Sequence, residues 1–144
     1  MLVKSIFNGL IMCCLFIVPL NAQENNWKNY FKSEEVRIDY RYQDCISSAN
    51  GTAKQYVLFK INNETDQPLE LTYQRVMWYN DKCLGCDNGT EYTVVLELAP
   101  DEQVTGTCED KNKALKIFSK MLNREASELD KFELRSINAK RSAE

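Results

Sequence analysis

Residues 55–79, QYVLFKINNETDQPLELTYQRVMWY, decide how the rest of the chain is interpreted. They contain two runs rich in β-branched and aromatic residues, 56–61 and 69–78, joined by a polar loop that ends at Pro68. Two such runs around a short polar connection are typical of a long β-hairpin. This stretch therefore predicts an antiparallel sheet to which the other strands are added.

Alternating hydrophobicity predicts most of those other strands. Residues 36–42 alternate strictly between apolar and polar, as expected for a half-buried strand, and residues 92–98 and 103–108 show weaker forms of the same pattern. Within 69–78 the apolar phase changes by one residue, which predicts a β-bulge near Gln74 and Arg75. The lead-in at residues 23–33 fits either a short helix or an irregular segment.

The last third of the chain supports two interpretations. Apolar residues from Leu115 to Leu129 fall at helical spacing, so a helix over residues 113–129 is one alternative. Alternation also fits two strands, 114–122 and 131–140. We favour the strands, because a sandwich begun by five strands needs more of them to cover its second face.

The first 22 residues have the composition of an export signal. Lys4 supplies a basic start, residues 11–18 are apolar, and Ala22 is a small residue at the expected cleavage site. The apolar run is too short to cross a bilayer. Cys13 and Cys14 lack the small preceding residue of a lipid-anchor site, so we expect both to be removed with the leader. The remaining residues, 23–144, predict a single domain with no stable membrane insertion.

Charge and composition exclude several functional classes. Removal of the leader takes away one of 18 basic residues, leaving 17 against 21 acidic residues and a net charge of −4. An acidic exported chain is a poor partner for nucleic acid. The chain has no histidine, which removes the commonest general base and metal ligand. We therefore predict no catalytic residue, no cofactor and no metal, and no carboxylate pair stands out for glycoside hydrolysis.

Four cysteines follow the leader, at Cys45, Cys83, Cys86 and Cys108. In an up-and-down series of strands, each lies at the end of an odd-numbered strand, so all four are predicted to meet at one pole. An even number of cysteines in an exported protein indicates disulfides. Loop entropy separates the possible pairings by only about 1 kcal/mol, so the pairing stays open.

The Cys83-Leu84-Gly85-Cys86 segment also supports a redox alternative. A Cys-x-x-Cys pair can exchange disulfides when a helix N-terminus lowers a thiol pKa. Here a turn and a strand follow, and Asp81 and Asp87 would raise the pKa, so a structural disulfide is favoured. Zinc binding is weaker still, because the motif occurs once. A calcium site built from these two acids and Glu91 matches no regular calcium loop.

Aromatic residues and glycosylation signals provide the remaining candidates. Trp78 and Tyr79 precede the cysteine loop and are candidate binding residues, although a position in the core beneath the disulfides is the favoured interpretation for Trp78. Asn50, Asn63 and Asn88 each begin an Asn-x-Thr acceptor pattern in a predicted loop. These acceptors matter only in a host that glycosylates exported proteins.

Several of these stretches together resemble a group of proteins. The chain is similar to small exported β-sandwich proteins of Gram-negative bacteria with no assigned function. The resemblance rests on LFKINNET at residues 58–65, WY at 78–79, Cys83-x-x-Cys86, LAPDE at 98–102 and GTC at 106–108. It implies the fold and export, and it carries over no functional residue.

The sequence thus predicts an all-β protein, an antiparallel β-sandwich of about seven strands that is immunoglobulin-like in the broad sense. It favours a secreted or periplasmic, non-enzymatic module of the cell envelope or exterior, with a protein or glycan at the cell surface as its partner. The alternative is a thiol-disulfide oxidoreductase using Cys83 and Cys86. Ligand identity and oligomeric state stay open.

Overall fold

The computed structural model describes residues 26–87 and 89–142. These ranges contain nine β-strands and a 3-10 helix at Thr90–Tyr92, with no α-helix. The predicted all-β, antiparallel fold is confirmed, with more strands than the expected seven. The strands are β1 Lys28–Lys32, β2 Val36–Ser47, β3 Thr52–Asn63, β4 Leu69–Tyr79, β5 Lys82–Leu84, β6 Thr93–Leu98, β7 Gln103–Thr105, β8 Lys116–Met121 and β9 Leu129–Arg141.

Two predictions from the sequence concern the leader and the last third of the chain. The predicted leader, residues 1–22, lies outside the described residues. Within them, no helix is long and apolar enough to cross a membrane. The helix considered over residues 113–129 is wrong, because β8 and β9 occupy most of the final third as strands. Residues 28–32 also form a strand rather than a helix.

Each sheet is built around one long strand. In the first sheet, β3 pairs with β2 along its whole length on one edge, while β7 and β8 share the other edge, and β1 extends β2 outward. In the second, β4 pairs with β9 on one edge, and β5 and β6 share the other. All pairs are antiparallel, and the sheets curl into a half-barrel.

The predicted hairpin over residues 55–79 is wrong. Its two strands form as expected, but β3 belongs to the first sheet and β4 to the second. Residues 64–68 carry the chain from one sheet to the other. Asn63 fixes this crossing, because its Nδ2 donates hydrogen bonds to the backbone oxygens of Gln67, at 2.7 Å, and Ala99, at 2.9 Å.

The predicted bulge lies on the neighbouring strand. The register of β4 against β9 shifts between Thr72 and Gln74, and the extra residue is in β9, where Ser136 has a φ of 52°. The phase of β4 itself does not change, because Leu71, Tyr73 and Met77 all belong to one core. Arg75 therefore lies in the core-facing row of β4.

Both sheets contribute to that core. Fully buried aliphatic and aromatic side chains of this kind each stabilise the fold by about 1.5–3 kcal/mol. Those of the first sheet include Val36, Ile38, Val57, Phe59, Ile61 and Ile117, and those of the second include Leu71, Tyr73 and Leu98.

Aromatic side chains close one seam between the sheets. Phe132 of β9 packs against the rings of Tyr30, Tyr40 and Phe59, with centroids 5.5–5.7 Å apart. The Tyr30 hydroxyl also accepts a 2.7 Å hydrogen bond from the backbone N–H of Leu134. These contacts explain why the lead-in pairs as a strand. The second seam, between β8 and the edge shared by β5 and β6, is closed by hydrogen bonds from side chains of β4 to backbone oxygens of residues 113–118.

Candidate functional site

All four cysteines predicted to form disulfides do so in the structure. Cys45 is bonded to Cys108, across 63 residues of sequence, and Cys83 is bonded to Cys86. The first bond fastens the end of β2 to the segment after β7, and the second closes the turn that follows β5. Disulfides of this kind indicate an oxidising environment outside the cytoplasm.

Strand registers place both disulfides toward the same end of the two sheets. Cys45 opposes Lys54 in β3, which in turn opposes the C-terminal end of β8. Tyr79, at the C-terminal end of β4, donates a 2.5 Å hydrogen bond to the backbone oxygen of Phe118 in β8. Cys83 lies in the short hairpin that follows Tyr79. We call this end the cysteine pole.

The hairpin of β2 and β3 extends past the core at the cysteine pole. The register of β2 against β3 is unbroken, so Tyr42 and Ile46 share the face of the buried Val36 and Ile38. Exposure nevertheless rises along this face, to 49% at Tyr42 and 77% at Ile46. We call residues 42–55 the projecting hairpin. The core-facing side of this hairpin extends past the end of the second sheet, so the second sheet does not cover it there.

A groove borders this hairpin on the side of the first disulfide. It has a volume of about 680 Å³ and is lined by residues 44–50, Thr52, Lys54, Tyr56, Cys108 and Glu109. Because the Cys45–Cys108 bond holds both walls, the groove is fixed by a covalent link. We call it the pole groove.

The two aromatic residues predicted as binding candidates have different surroundings. Trp78 is half-buried, and its ring lies under two cations, with Lys131 Nζ 3.9 Å and Arg135 Cζ 5.5 Å from the ring centroid. Tyr79 packs against the core and bonds to Phe118. Burial raises the pKa of Tyr79 to about 12, so its hydroxyl stays a donor at neutral pH. Neither ring lines the pole groove.

The Cys83–Cys86 turn lacks the surroundings of a reactive cysteine. A strand precedes it, and the 3-10 helix at Thr90–Tyr92 contains only three residues. No cluster of His, Cys, Asp and Glu in the described ranges could hold a metal ion. Asp81 and Asp87 lie in exposed turns, and Asp87 accepts a hydrogen bond from the backbone of Gly89.

The three glycosylation acceptors also differ. Asn50 is exposed in the turn between β2 and β3, whereas Asn88 lies outside the described residues. Asn63, predicted in a loop, is the last residue of β3 and is buried. Its Nδ2 already donates two hydrogen bonds, so this nitrogen is not accessible to a transferase in the folded protein.

Three side chains from the core-facing row of β4 close the second seam. Tyr73 donates a 2.7 Å hydrogen bond to the backbone oxygen of Ala114, Arg75 Nη1 donates to Lys113, and Tyr79 donates to Phe118. Arg75 is only 7% exposed. Burial lowers the pKa of Arg75, but arginine keeps its charge at any physiological pH.

A cavity of about 360 Å³ opens at this seam. Its lining consists of Tyr56, Arg75, Met77, residues 91–92, Lys113 and residues 116–118. We call it the seam pocket. No sequence pattern indicated it, because Arg75 lies in a strand where a phase change had been expected. The signal that could have found it was a charged residue in the middle of an otherwise apolar row.

A second charged cluster lies on the outer face of the first sheet. Asp39 is 1% exposed, 3.0 Å from Arg37 Nε and 3.5 Å from Lys60 Nζ, and it accepts a hydrogen bond from Asn29. Burial opposes ionisation of Asp39, but the hydrogen bonds and the two cations outweigh it and lower its pKa. The Trp27 ring lies 5.1 Å from Lys60 Nζ. The cluster joins β1, β2 and β3, which indicates a structural role.

Comparison of the chain with known protein families, curated proteins and solved structures found no match.

Proposed function

We propose that this protein is an exported, non-enzymatic binding module of the cell envelope or exterior, and that it engages a partner protein through the projecting hairpin. One observation carries the proposal: Tyr42 and Ile46 are exposed on a regular strand, in phase with the core. Exposed apolar surface beside polar residues is typical of a protein contact. The adjoining pole groove supplies polar groups for the rim of such a contact.

A protein fits this surface better than a glycan does. Sugar rings stack on the open faces of aromatic side chains, and the Trp78 ring is covered by Lys131 and Arg135. Ile46 offers an aliphatic contact that has no counterpart in most glycans. A cell-surface glycan is the competing partner, and the binding experiment includes it.

The proposed scaffold is an immunoglobulin-like β-sandwich, secreted or periplasmic after removal of residues 1–22. Two antiparallel sheets that share one core and two disulfides support this proposal. The resemblance to small exported β-sandwich proteins of Gram-negative bacteria points the same way. Nucleic acid is not the proposed partner, because the chain carries a net negative charge.

The experiment uses immobilised protein with extracts of the producing cells and with a panel of envelope glycans. Ile46→Asp is compared with Val95→Asp, because Val95 is also aliphatic and 57% exposed but lies on β6. We expect wild type and Val95→Asp to retain the same partner, and Ile46→Asp to lose it. Equal retention by both variants, or retention of glycan alone, would contradict the proposal.

The redox alternative retains one supporting observation, since Cys86 is exposed and its disulfide spans only two intervening residues. An insulin-reduction assay tests it. Turnover that disappears in Cys83→Ser would favour the oxidoreductase, whereas absent turnover, or turnover that persists in this variant, would eliminate it.

A further inference from the structure

We propose that the seam pocket binds a small organic acid, whose carboxylate pairs with Arg75 and whose apolar body lies against the aromatic wall. This site is separate from the projecting hairpin, and the inference does not depend on the proposed partner protein.

Within residues 26–87 and 89–142, the guanidinium of Arg75 is buried without an opposite charge beside it. Only 7% of the Arg75 surface is exposed to solvent. Its Nε has no hydrogen-bond partner among the described residues. No carboxylate in the described part of the chain lies within 4.0 Å of it, although five other such ion pairs are present there. Nη1 is satisfied only by the neutral backbone oxygen of Lys113. A buried charge without an opposite charge is unfavourable, so a ligand anion would complete the pair.

The charges around the seam pocket are mostly positive. Arg75, Lys113 and Lys116 bring three positive charges to the lining, and Glu91 brings one negative charge. Lys116 is already engaged, because its Nζ donates a 3.0 Å hydrogen bond to Cys108 and lies 4.8 Å from the Tyr56 ring. The exposed Lys113 is therefore the cation best placed to attract an anion from solvent.

The size and shape of the seam pocket fit a small organic acid. A volume of about 360 Å³ lies at the lower end of the 300–1,000 Å³ range of small-molecule sites. The walls are largely apolar, with Met77, Tyr92 and Phe118 among them. The planar fork of a guanidinium matches a carboxylate with two parallel hydrogen bonds. An acid with one aromatic or aliphatic group fits both features, whereas inorganic phosphate would leave the apolar walls without a contact.

The probe is phenylacetate, titrated into the full disulfide-bonded protein and followed by ¹H–¹⁵N NMR, including the arginine Nε–H resonances. Phenylacetamide is the matched neutral probe, and inorganic phosphate tests simple anion attraction. We expect phenylacetate to shift resonances at residues 75, 92 and 113–118. We expect both controls to bind at least tenfold more weakly, because a charge-assisted hydrogen bond contributes about that factor.

Two variants test the assignment of the cation. Arg75→Met should lose phenylacetate binding by at least tenfold, whereas Arg135→Met, which removes an arginine outside the pocket, should bind as wild type. The Nε–H shift of Arg75 in wild type provides the same information if Arg75→Met does not fold. Equal binding of phenylacetate and phenylacetamide, equal binding of phosphate, shifts that avoid residue 75, or no shift at all would overturn the inference.

Discussion

Removal of the Cys45–Cys108 disulfide should lower the free energy of unfolding much more than removal of Cys83–Cys86. A disulfide lowers the conformational entropy of the unfolded chain. The entropy that it removes grows with the logarithm of the number of residues in the loop that it closes. The 63-residue separation of the first bond gives about 4 kcal/mol, and the 3-residue separation of the second gives about 2 kcal/mol. The two bonds therefore serve as controls for each other.

The assay is urea unfolding of two double variants, Cys45→Ala/Cys108→Ala and Cys83→Ala/Cys86→Ala, followed by tryptophan fluorescence. The first variant should show the larger fall in midpoint, and its slope should rise because the unfolded chain becomes more expanded. If the second variant loses as much stability as the first, the chain-entropy reasoning is refuted. The Cys83–Cys86 bond would then have a role beyond closing its own turn.

Three further predictions concern particular side chains. Asp39→Asn should lower stability by about 2 kcal/mol at pH 7, because it removes the charge that pairs with Lys60 and with the 43% exposed Arg37. Since the pKa of Asp39 is lowered in the folded state, its contribution is complete above about pH 4 and is lost as pH falls through the folded pKa, so the gap between the urea midpoints of wild type and variant should narrow steadily as the pH is lowered below about 4. Midpoints that stay equally far apart would show that Asp39 acts through shape alone. Gly85→Ala should be far more destabilising in thermal unfolding than Gly51→Ala, because both have positive φ but only at Gly85 would a Cβ collide with a backbone oxygen of β4, whereas equal losses would rule out the collision. In a glycosylating host, mass spectrometry should find glycan on Asn50 and none on Asn63 of the folded protein, and a modified Asn63 would contradict its buried position.

The sequence predicted the strands better than it predicted their partners. Alternation located β4, β6, β8 and β9 to within two residues at each end, because the period of two follows directly from the side that each residue faces, whereas β2 runs five residues past its predicted end. The stretch 55–79 gave two correct strands and a wrong pairing. A hairpin and a crossing between sheets have the same local pattern, and here the hydrogen bonds of Asn63 to distant backbone determine the crossing.

For the candidate sites as well, the sequence identified residues but could not predict their surroundings in the fold. The cysteines could be found by counting, but the pairing required the position of Cys108 beside the end of β2. Trp78 was named from the sequence as a candidate binding residue, but the cations that cover its ring come from β9, more than fifty residues away in sequence. Arg75 was missed as a site because a bulge in β4 was expected to reverse the phase there, whereas β4 alternates without a break and the extra residue lies in β9. The projecting hairpin was missed because exposure depends on where the second sheet ends.

The most direct measurement of the central claim places a photo-crosslinking amino acid at position 46 and, separately, at position 95 in protein exported by the producing cells. We predict a discrete cross-linked protein at position 46, the same species retained by wild-type protein in the binding experiment, and none at position 95. No adduct at position 46, or the same adducts at both positions, would contradict a binding surface on the projecting hairpin.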